Sequence, residues 1–477
     1  MKDYTQFYID GRWVDPVVLN TMDVIDPSTE TPFARIAMGS AADVDLAVAA
    51  ARRAFDSYGQ FSRSQRLDLL MSVLDQFKRR KDDFAHAISS EMGAPITLAK
   101  QPQTVPCIEM LQSMIDILRE YPFEEKLDDS IILKEPIGVV GVITPWNWPL
   151  QQIVRKVGAA LAAGCTSVLK PSEISPLSAL VFAEAVHDAG VPAGVVNVIN
   201  GDGPTVGQAI TAHPRIDMVT FTGSTRAGIQ VAKSAADTVK RVHQELGGKS
   251  ANIIFDDVDL EQVVTRDVLT LMRNSGQTCN APTRLLVHAS QHDQAARIAG
   301  AAADGVVVGD PRDAATDMGP LSNRNQFDKV QRMIAGGIQE GARLVAGGPG
   351  RPDHLDKGFY ARPTIFADVT ETMTIAREEI FGPVLCILPY KDEDDAVRIA
   401  NNSEYGLAAY LSSTDPARTR RVAARLRAGN VHINGGRAGP GTPFGGYKQS
   451  GNGREKGVYG LEEFLEVKAL IGGGDAS

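Results

Sequence analysis

Between residues 137 and 255, short runs of β-branched residues alternate with alanine-rich stretches, and this alternation constrains the fold more than any other feature of the chain. The apolar run at 137–143 reads as a buried strand closed by Pro145. Behind it come a helix through 154–163, a strand at 166–170, a helix at 177–189, and strands at 195–200 and 218–222. A strand that returns through a helix runs parallel to the one before it, so the expected fold is α/β with a mostly parallel, doubly wound sheet. A second αβ region runs from Val258 to about Asn434. Upstream, residues 41–58 and 64–93 carry apolar side chains at helical spacing with Arg and Asp on the opposite face, which predicts surface helices. One hydrophobic core rarely serves 477 residues, so two or three domains are expected.

A net charge of −9 and a pI near 5.5 argue against general affinity for nucleic acid or anionic membrane, because both need a cationic face. No apolar run approaches the ~20 residues that span a bilayer, and Met1-Lys2-Asp3-Tyr4-Thr5-Gln6 lacks the apolar core of a signal peptide. A cytoplasmic protein is expected. The four cysteines are scattered, without CxxC or closely spaced histidines, so neither a metal site nor a disulfide framework is expected. Cys165 and Cys386 sit in apolar settings that suit a core, the setting of Cys107 is uninformative, and Cys279 alone has polar neighbours on both sides. The glycine-rich end Gly472-Gly473-Gly474 is expected to fray.

Cys279 lies in Asn274-Ser275-Gly276-Gln277-Thr278-Cys279-Asn280, and Glu245 lies upstream in Glu245-Leu246-Gly247-Gly248-Lys249. A thiolate attacks electrophilic carbon, provided it is kept deprotonated or is deprotonated on demand; amide dipoles and a nearby base supply both. By themselves the two residues are more often a core thiol and a solvated carboxylate. Asn147, in Thr144-Pro145-Trp146-Asn147-Trp148-Pro149 at a strand's carboxyl end, is placed to donate to an oxyanion. Three further segments complete the set: Val168-Leu169-Lys170-Pro171-Ser172-Glu173, Phe221-Thr222-Gly223-Ser224-Thr225-Arg226-Ala227-Gly228, and Glu378-Glu379-Ile380-Phe381-Gly382-Pro383-Val384.

Together these segments resemble the aldehyde dehydrogenase superfamily, from Phe7-Tyr8-Ile9-Asp10-Gly11 to Pro443-Phe444-Gly445-Gly446-Tyr447-Lys448-Gln449-Ser450-Gly451. Through Ser275-Gly276-Gln277-Thr278-Cys279-Asn280-Ala281-Pro282-Thr283-Arg284 and Val431-His432-Ile433-Asn434-Gly435 the chain is similar to the subgroup that includes 6-oxolauric acid, geranial and 3-succinoylsemialdehyde-pyridine dehydrogenases. The resemblance implies a Rossmann-like cofactor domain of residues 1–118 and 137–247, a catalytic domain of 248–449, and an oligomerisation element of 119–136 and 450–477 that pairs across subunits of a homodimer or homotetramer. It implies NAD(P)-dependent oxidation of an aldehyde through a thiohemiacetal and a thioester on Cys279. Asn147 and the Cys279 N–H would form the oxyanion hole, and Glu245 would activate the hydrolytic water. The acyl-transferring branch lacks this Glu, so a free acid is the expected product. Lys156 and Glu455 match a pair that either relays protons or is purely structural.

The cofactor residues implied are Ile143, Thr144, Pro145, Trp146, Lys170, Ser172, Glu173, Gly203, Phe221, Gly223, Ser224, Leu246, Glu379 and Phe381. No GxGxxG is present, yet Gly223 and Ser224 fit a strand-to-helix turn whose N–H groups meet a pyrophosphate. A carboxylate at Glu173 repels a 2′-phosphate, which favours NAD over NADP; Arg226 weakens that inference. Substrate contacts are expected from Trp148, Gln151, Gln152, Arg155, Arg273, Thr278, Asn280 and Phe444. Two arginines there suit an anionic tail, such as that of an ω-oxo acid, unless they form internal ion pairs. Neutral aliphatic, terpenoid or aromatic aldehydes are the alternative.

Overall fold

Strands Val139–Ile143, Thr166–Lys170, Val196–Val198, Met218–Thr222 and Arg241–Glu245 form the parallel centre of an eight-stranded sheet in the computed structural model, which describes residues 2–472. Gly473 and Gly474 of the glycine-rich end lie outside the described residues. The first, second and fourth of these strands are buried along their whole length, as a sheet covered by helices on both faces requires. In space Val139–Ile143 lies between Met218–Thr222 and Thr166–Lys170. The chain therefore winds to one side through Thr166 and Val196, then crosses back to Met218. That reversal opens a crevice at the carboxyl ends of Val139–Ile143 and Met218–Thr222, where doubly wound sheets bind ligands. The next residues along the chain are Thr144 to Asn147 and Gly223 to Ser224.

A second sheet of seven strands has Ala251–Ile254 near its middle, between Arg284–His288 and Ala408–Ser412, and is parallel apart from one edge pair. This αβ region thus begins with a strand upstream of Val258. The short stretch from Glu245 to Ala251 joins the two sheets, so the segment holding Glu245 crosses from one to the other.

Glu124–Leu127, Ser130–Pro136 and Leu465–Ile471 make an antiparallel three-stranded sheet, with Val467 opposite Lys134. Gly451–Asn452 does not belong to it; that pair extends the first sheet against Gln244 and Glu245. Two helical expectations are corrected. Residues 64–93 form two helices, Arg63–Arg79 and Lys81–Met92, because Arg80 leaves helical geometry at ψ 16. The helix expected from 154 starts at Pro149, whose missing N–H is no loss in a first turn, and widens into a π-helical turn over Val154–Gly158. The widened turn lets successive residues Arg155 and Lys156 both reach Glu455. Cys107, within Val105–Glu120, packs with Cys165 in the first core, and Cys386 lies in the second. Among the described residues no helix is long and apolar enough to cross a membrane.

Candidate active site

Cys279 is partly buried at the junction of two cavities. One, of about 190 Å³, is walled by Pro145, Trp146, Asn147, Gly223, Ser224, Leu246, Glu379 and Phe381. The other, of about 400 Å³, is walled by Trp148, Gln151, Gln152, Arg155, Thr278, Asn280 and Phe444. Only Cys279 and Gln152 face both.

The thiol is presented by a left-handed turn. Asn274, Ser275 and Gly276 have φ of 53°, 55° and 70°, a conformation that costs non-glycine residues on the order of 1 kcal/mol each. Side-chain bonds hold it. Asn274 Nδ2 donates to the carbonyls of Asn147 at 2.9 Å and Gln277 at 3.2 Å, Ser275 Oγ donates to Gly319 O at 2.8 Å, and Gln277 Nε2 donates to Asn274 O at 3.1 Å. The side-chain amides of Asn274 and Gln277 are thus spent on shaping the turn. The thiol itself is pushed up to about 12, by burial first and then by Glu245, Glu379 and Glu455 against the opposing Arg155. Of the two options for the thiol, the structure favours deprotonation on demand.

Glu245 is buried at the end of its strand, and neither carboxyl oxygen has a hydrogen-bond partner among the described residues. Burial, then the charge of Glu455, raise its pKa well above the ordinary carboxylate value, while Lys156, Arg155 and Arg454 pull the other way. Backbone comes close on one side: a Cβ at Gly445 would lie 2.7 Å from Glu245 Oε1. Lys156 Nζ donates to Glu455 Oε1 at 2.5 Å and to Thr220 Oγ1 at 3.0 Å. Burial alone would raise the Glu455 carboxyl, but Lys156 and Arg155 outweigh it and hold it below the ordinary value. Asn147 Nδ2 donates to Gln277 O at 3.0 Å, which commits one of its two amide hydrogens.

On the crevice side, Ser224 caps helix Thr225–Ala235 by accepting from Ala227 N at 3.3 Å. The Phe381 ring stands edge-on to Trp146 at 5.4 Å, with its backbone at φ 59° held by Gln326 Nε2 donating to Phe381 O at 2.7 Å. Glu379 Oε1 accepts from Gly248 N at 2.9 Å. Ile143, Lys170 and Phe221 occupy facing register positions at the strand ends, and Thr144 N donates to Lys170 O at 3.1 Å. Lys170 Nζ, buried and with its pKa lowered chiefly by burial, donates to Pro171 O, Gly201 O and Glu173 at 2.8, 2.6 and 3.3 Å. Ser172 and Glu173 follow it, and Gly203 lies two residues beyond Gly201.

A sequence model of the aldehyde dehydrogenase family matches residues 13–470. The chain belongs to the aldehyde dehydrogenase family. It is 54% identical over 473 residues to 3-succinoylsemialdehyde-pyridine dehydrogenase from a Pseudomonas species, covering 99% of both chains. Among solved structures it resembles a mutant of aldehyde dehydrogenase C from Pseudomonas syringae complexed with NAD+ and octanal, at TM-score 0.98 and 51% identity over 99% of this chain and 98% of that one. A Mycobacterium tuberculosis aldehyde dehydrogenase complexed with NAD+ aligns at TM-score 0.96 and 41% identity, covering 98% of each. The protein is an oxidoreductase of this family.

The larger cavity also carries charge on its wall. Arg155 faces it but is internally paired: Nη1 lies 3.5 Å from Glu455 Oε2, Nη2 lies 3.4 Å from Gln151 Oε1, and the guanidinium covers the Phe444 ring at 4.9 Å. Arg273 does not line the cavity; it is exposed and feels the charge of Arg437. The cations on the wall that the sequence reading missed are Arg437 and Lys456. Lys456 is lowered to about 8 by burial and by Arg155, and its Nζ donates to Gly439 O at 2.9 Å. An arginine isolated in Gly435-Gly436-Arg437-Ala438-Gly439-Pro440, just before Phe444, was the available signal. On the crevice side the missed residues are Thr222 and Gly247, which sit inside segments already singled out, and Gln326 and Lys329, whose segment carries no motif linking it to Phe381. The one group of metal-type donors among the described residues, His292, Asp293 and Asp368, already has Arg343 bonded to both carboxylates at 2.7 Å.

Proposed function

We propose that the protein is an NAD-dependent aldehyde dehydrogenase that releases a free acid and prefers an aldehyde with an anionic far end. The observation that carries this reading is the Cys279 thiol standing where two cavities meet, within electrostatic reach of the buried Glu245 carboxyl, which lines neither cavity and has no hydrogen-bond partner among the described residues. The smaller cavity suits a nicotinamide nucleotide. It offers the Trp146 and Phe381 rings, the Glu379 carboxylate, and at Ser224 a helix N-terminus for a phosphate, while the Thr222 hydroxyl on its wall is buried with no hydrogen-bond partner among the described residues. NAD+ in the two relatives supports the same choice. When bound there, NAD supplies a hydride acceptor.

The chain's own groups account for the rest. As Cys279 Sγ bonds to the carbonyl carbon, the carbonyl π pair moves to oxygen and the thiol proton goes to Glu245. A carboxyl of raised proton affinity is the better base for this, because its gap to a thiol near 12 is narrower. The new alkoxide sits against the free amide hydrogen of Asn147 and the Cys279 N–H, where one donor stabilises the transition state by ~3–4 kcal/mol. Glu245 releases the thiol proton to solvent and then deprotonates a water that attacks the thioester left by oxidation; as the C–S bond breaks, the acid departs and the Cys279 sulfur takes that proton back. Lys156 and Glu455 set the charge beside that base.

Arg437 and Lys456, with Arg273 behind them, make the far end cationic against the single carboxylate of Glu109. That supports an anionic tail, as does the semialdehyde named for the Pseudomonas relative. A neutral aliphatic aldehyde is the second reading, favoured by the octanal in the Pseudomonas syringae complex. The exposed edge strand Leu465–Ile471 supports assembly into a homodimer or homotetramer.

Two variants test the mechanism. Cys279→Ala should abolish dehydrogenase turnover while NAD binding, followed by fluorescence titration, stays nearly unchanged. Glu245→Gln should weaken the NADH burst in rapid mixing, because the thiol loses its base, and should slow the steady state more, because the water loses its base as well. Substantial turnover by the alanine variant would sink the covalent mechanism, and equal loss of burst and steady state would confine Glu245 to the step before hydride transfer or to a structural role.

A further inference from the structure

His243 lies two residues before Glu245 on strand Arg241–Glu245, so both side chains leave the same face of the sheet. Its ring is buried, and Nδ1 stands 2.8 Å from the hydroxyl of Thr220, its register partner on the neighbouring strand. That hydroxyl is the one 3.0 Å from Lys156 Nζ. An ammonium can only donate, so Thr220 accepts from Lys156, and because His243 Nδ1 is the one other group bonded to the hydroxyl among the described residues, its single hydrogen goes there. These partners assign the neutral tautomer with its hydrogen on Nε2. Burial, then Lys156, keeps the ring neutral and lowers its pKa to about 3. Nε2 has no hydrogen-bond partner among the described residues. The chain closes over the ring at Gly453, where φ is +75° and a Cβ would stand 2.2 Å from His243 Cδ2. Burying an imidazole N–H unpaired is costly, so the contact made by its other nitrogen needs a reason.

We propose that His243 is a positioning residue for Glu245: by taking the Thr220 hydrogen it keeps that hydroxyl an acceptor, and so fixes the Lys156 ammonium between Thr220 and Glu455. This rests on Glu245 acting as the base. The charged groups facing the pair are Arg155 and Lys156 from the helix and Arg454 and Glu455 from the chain beyond Gly453; Glu463 stands behind, accepting from Arg454 N at 2.9 Å. Lys156, Arg155 and Arg454 favour the Glu245 carboxylate, and Glu455 disfavours it. An ammonium without its Thr220 acceptor samples other directions and favours that carboxylate less. Glu245 then needs a higher pH to lose its proton.

The full-length enzyme with His243→Asn and His243→Leu tests this. Asn offers a carbonyl oxygen near the place of Nδ1, whereas Leu fills the space without an acceptor. The readout is the steady-state rate after the NADH burst, measured across pH. In the Leu variant the acid limb should move up by about 0.5–1 pH unit, as a weakened favourable charge raises a carboxyl pKa. Its rate at neutral pH should fall about 3- to 10-fold, because less of the base is ionised. Asn should restore both to within about twofold of the unmodified enzyme. Thr220→Val removes the same hydroxyl and should reproduce the Leu profile, which keeps the test open should the Leu variant misfold. Equal profiles for Asn and Leu, or an unshifted acid limb in Leu and Thr220→Val, would overturn the role of His243. If Glu245→Gln also fails to separate burst from steady state, the assignment of Glu245 to hydrolysis falls as well; if it separates them, only the role of His243 does.

Discussion

Burial and the charge of Glu455 raise the proton affinity of Glu245, while Lys156, Arg155 and Arg454 lower it. In the proposed role as base Glu245 works only when ionised, so activity should fall as pH drops through this raised pKa, and the acid limb should lie above the ordinary carboxylate range near ~4.3. Glu455→Gln removes the neighbouring negative charge and leaves Lys156 and Arg155 less neutralised. Both changes favour the Glu245 carboxylate, so the acid limb should move down by about one unit. An upward or absent shift in the pH profile of that variant would mean Glu455 does not act on Glu245 by its charge. At this scale the sequence was most legible for Cys279, Asn147 and Glu245, each placed by a local motif. It was silent on His243 and Thr220, which meet only through strand register, and it credited the amides around Cys279 with activating a thiol when they shape its turn. It left open whether Arg155 is free or internally paired, since its partner Glu455 is 300 residues away.

Elements legible from their own periodicity came out close to expectation. Thr166–Lys170 and Met218–Thr222 match their apolar runs, and the crevice follows from the order in which the strands are wound. The π-helical turn at Val154–Gly158 has no such local signature and depends on packing around Glu455. Two connecting segments carry predictions. Beyond Thr166–Lys170, Glu173 is held near Lys170 at 3.3 Å, where its charge should oppose a 2′-phosphate. kcat/KM should favour NAD over NADP by at least ~10-fold, equivalent to about 1.4 kcal/mol, and Glu173→Gln should narrow the gap; equal use of both cofactors by the unmodified enzyme would show that Arg226 or another cation compensates. In the loop before Phe444, Arg437 is exposed, so screening limits its effect. Arg437→Leu should lower kcat/KM for an ω-oxo acid about 3- to 10-fold and leave the methyl-ended aldehyde of equal length little changed. Indifference of both enzymes to the terminal carboxylate would favour the neutral aliphatic reading.

Across the whole molecule, the two large sheets bury their strands between helices, whereas the three-stranded sheet leaves Leu465–Ile471 as an open edge. Val467 and Ile471 on that strand are 69% and 89% exposed. A long edge with exposed apolar side chains invites pairing with another strand, and a second copy of this chain offers the same edge by symmetry. The family resemblance implied this element, but a partner copy adds no motif of its own to the sequence, so the number of copies has no local signature to read. Val467 lies opposite Lys134 within the chain, so Val467→Glu places its charge beside a cation and should spare the internal sheet. Against a second copy the same carboxylate meets its own symmetry mate or an apolar surface, and assembly should weaken. Sedimentation velocity at micromolar concentration should give the unmodified protein a mass that is a multiple of 51.1 kDa and shift Val467→Glu toward the single-chain value, with thermal unfolding confirming that the variant is folded. An unmodified protein that sediments as one chain would refute the assembly, and an undiminished oligomer in Val467→Glu would move the interface away from this strand.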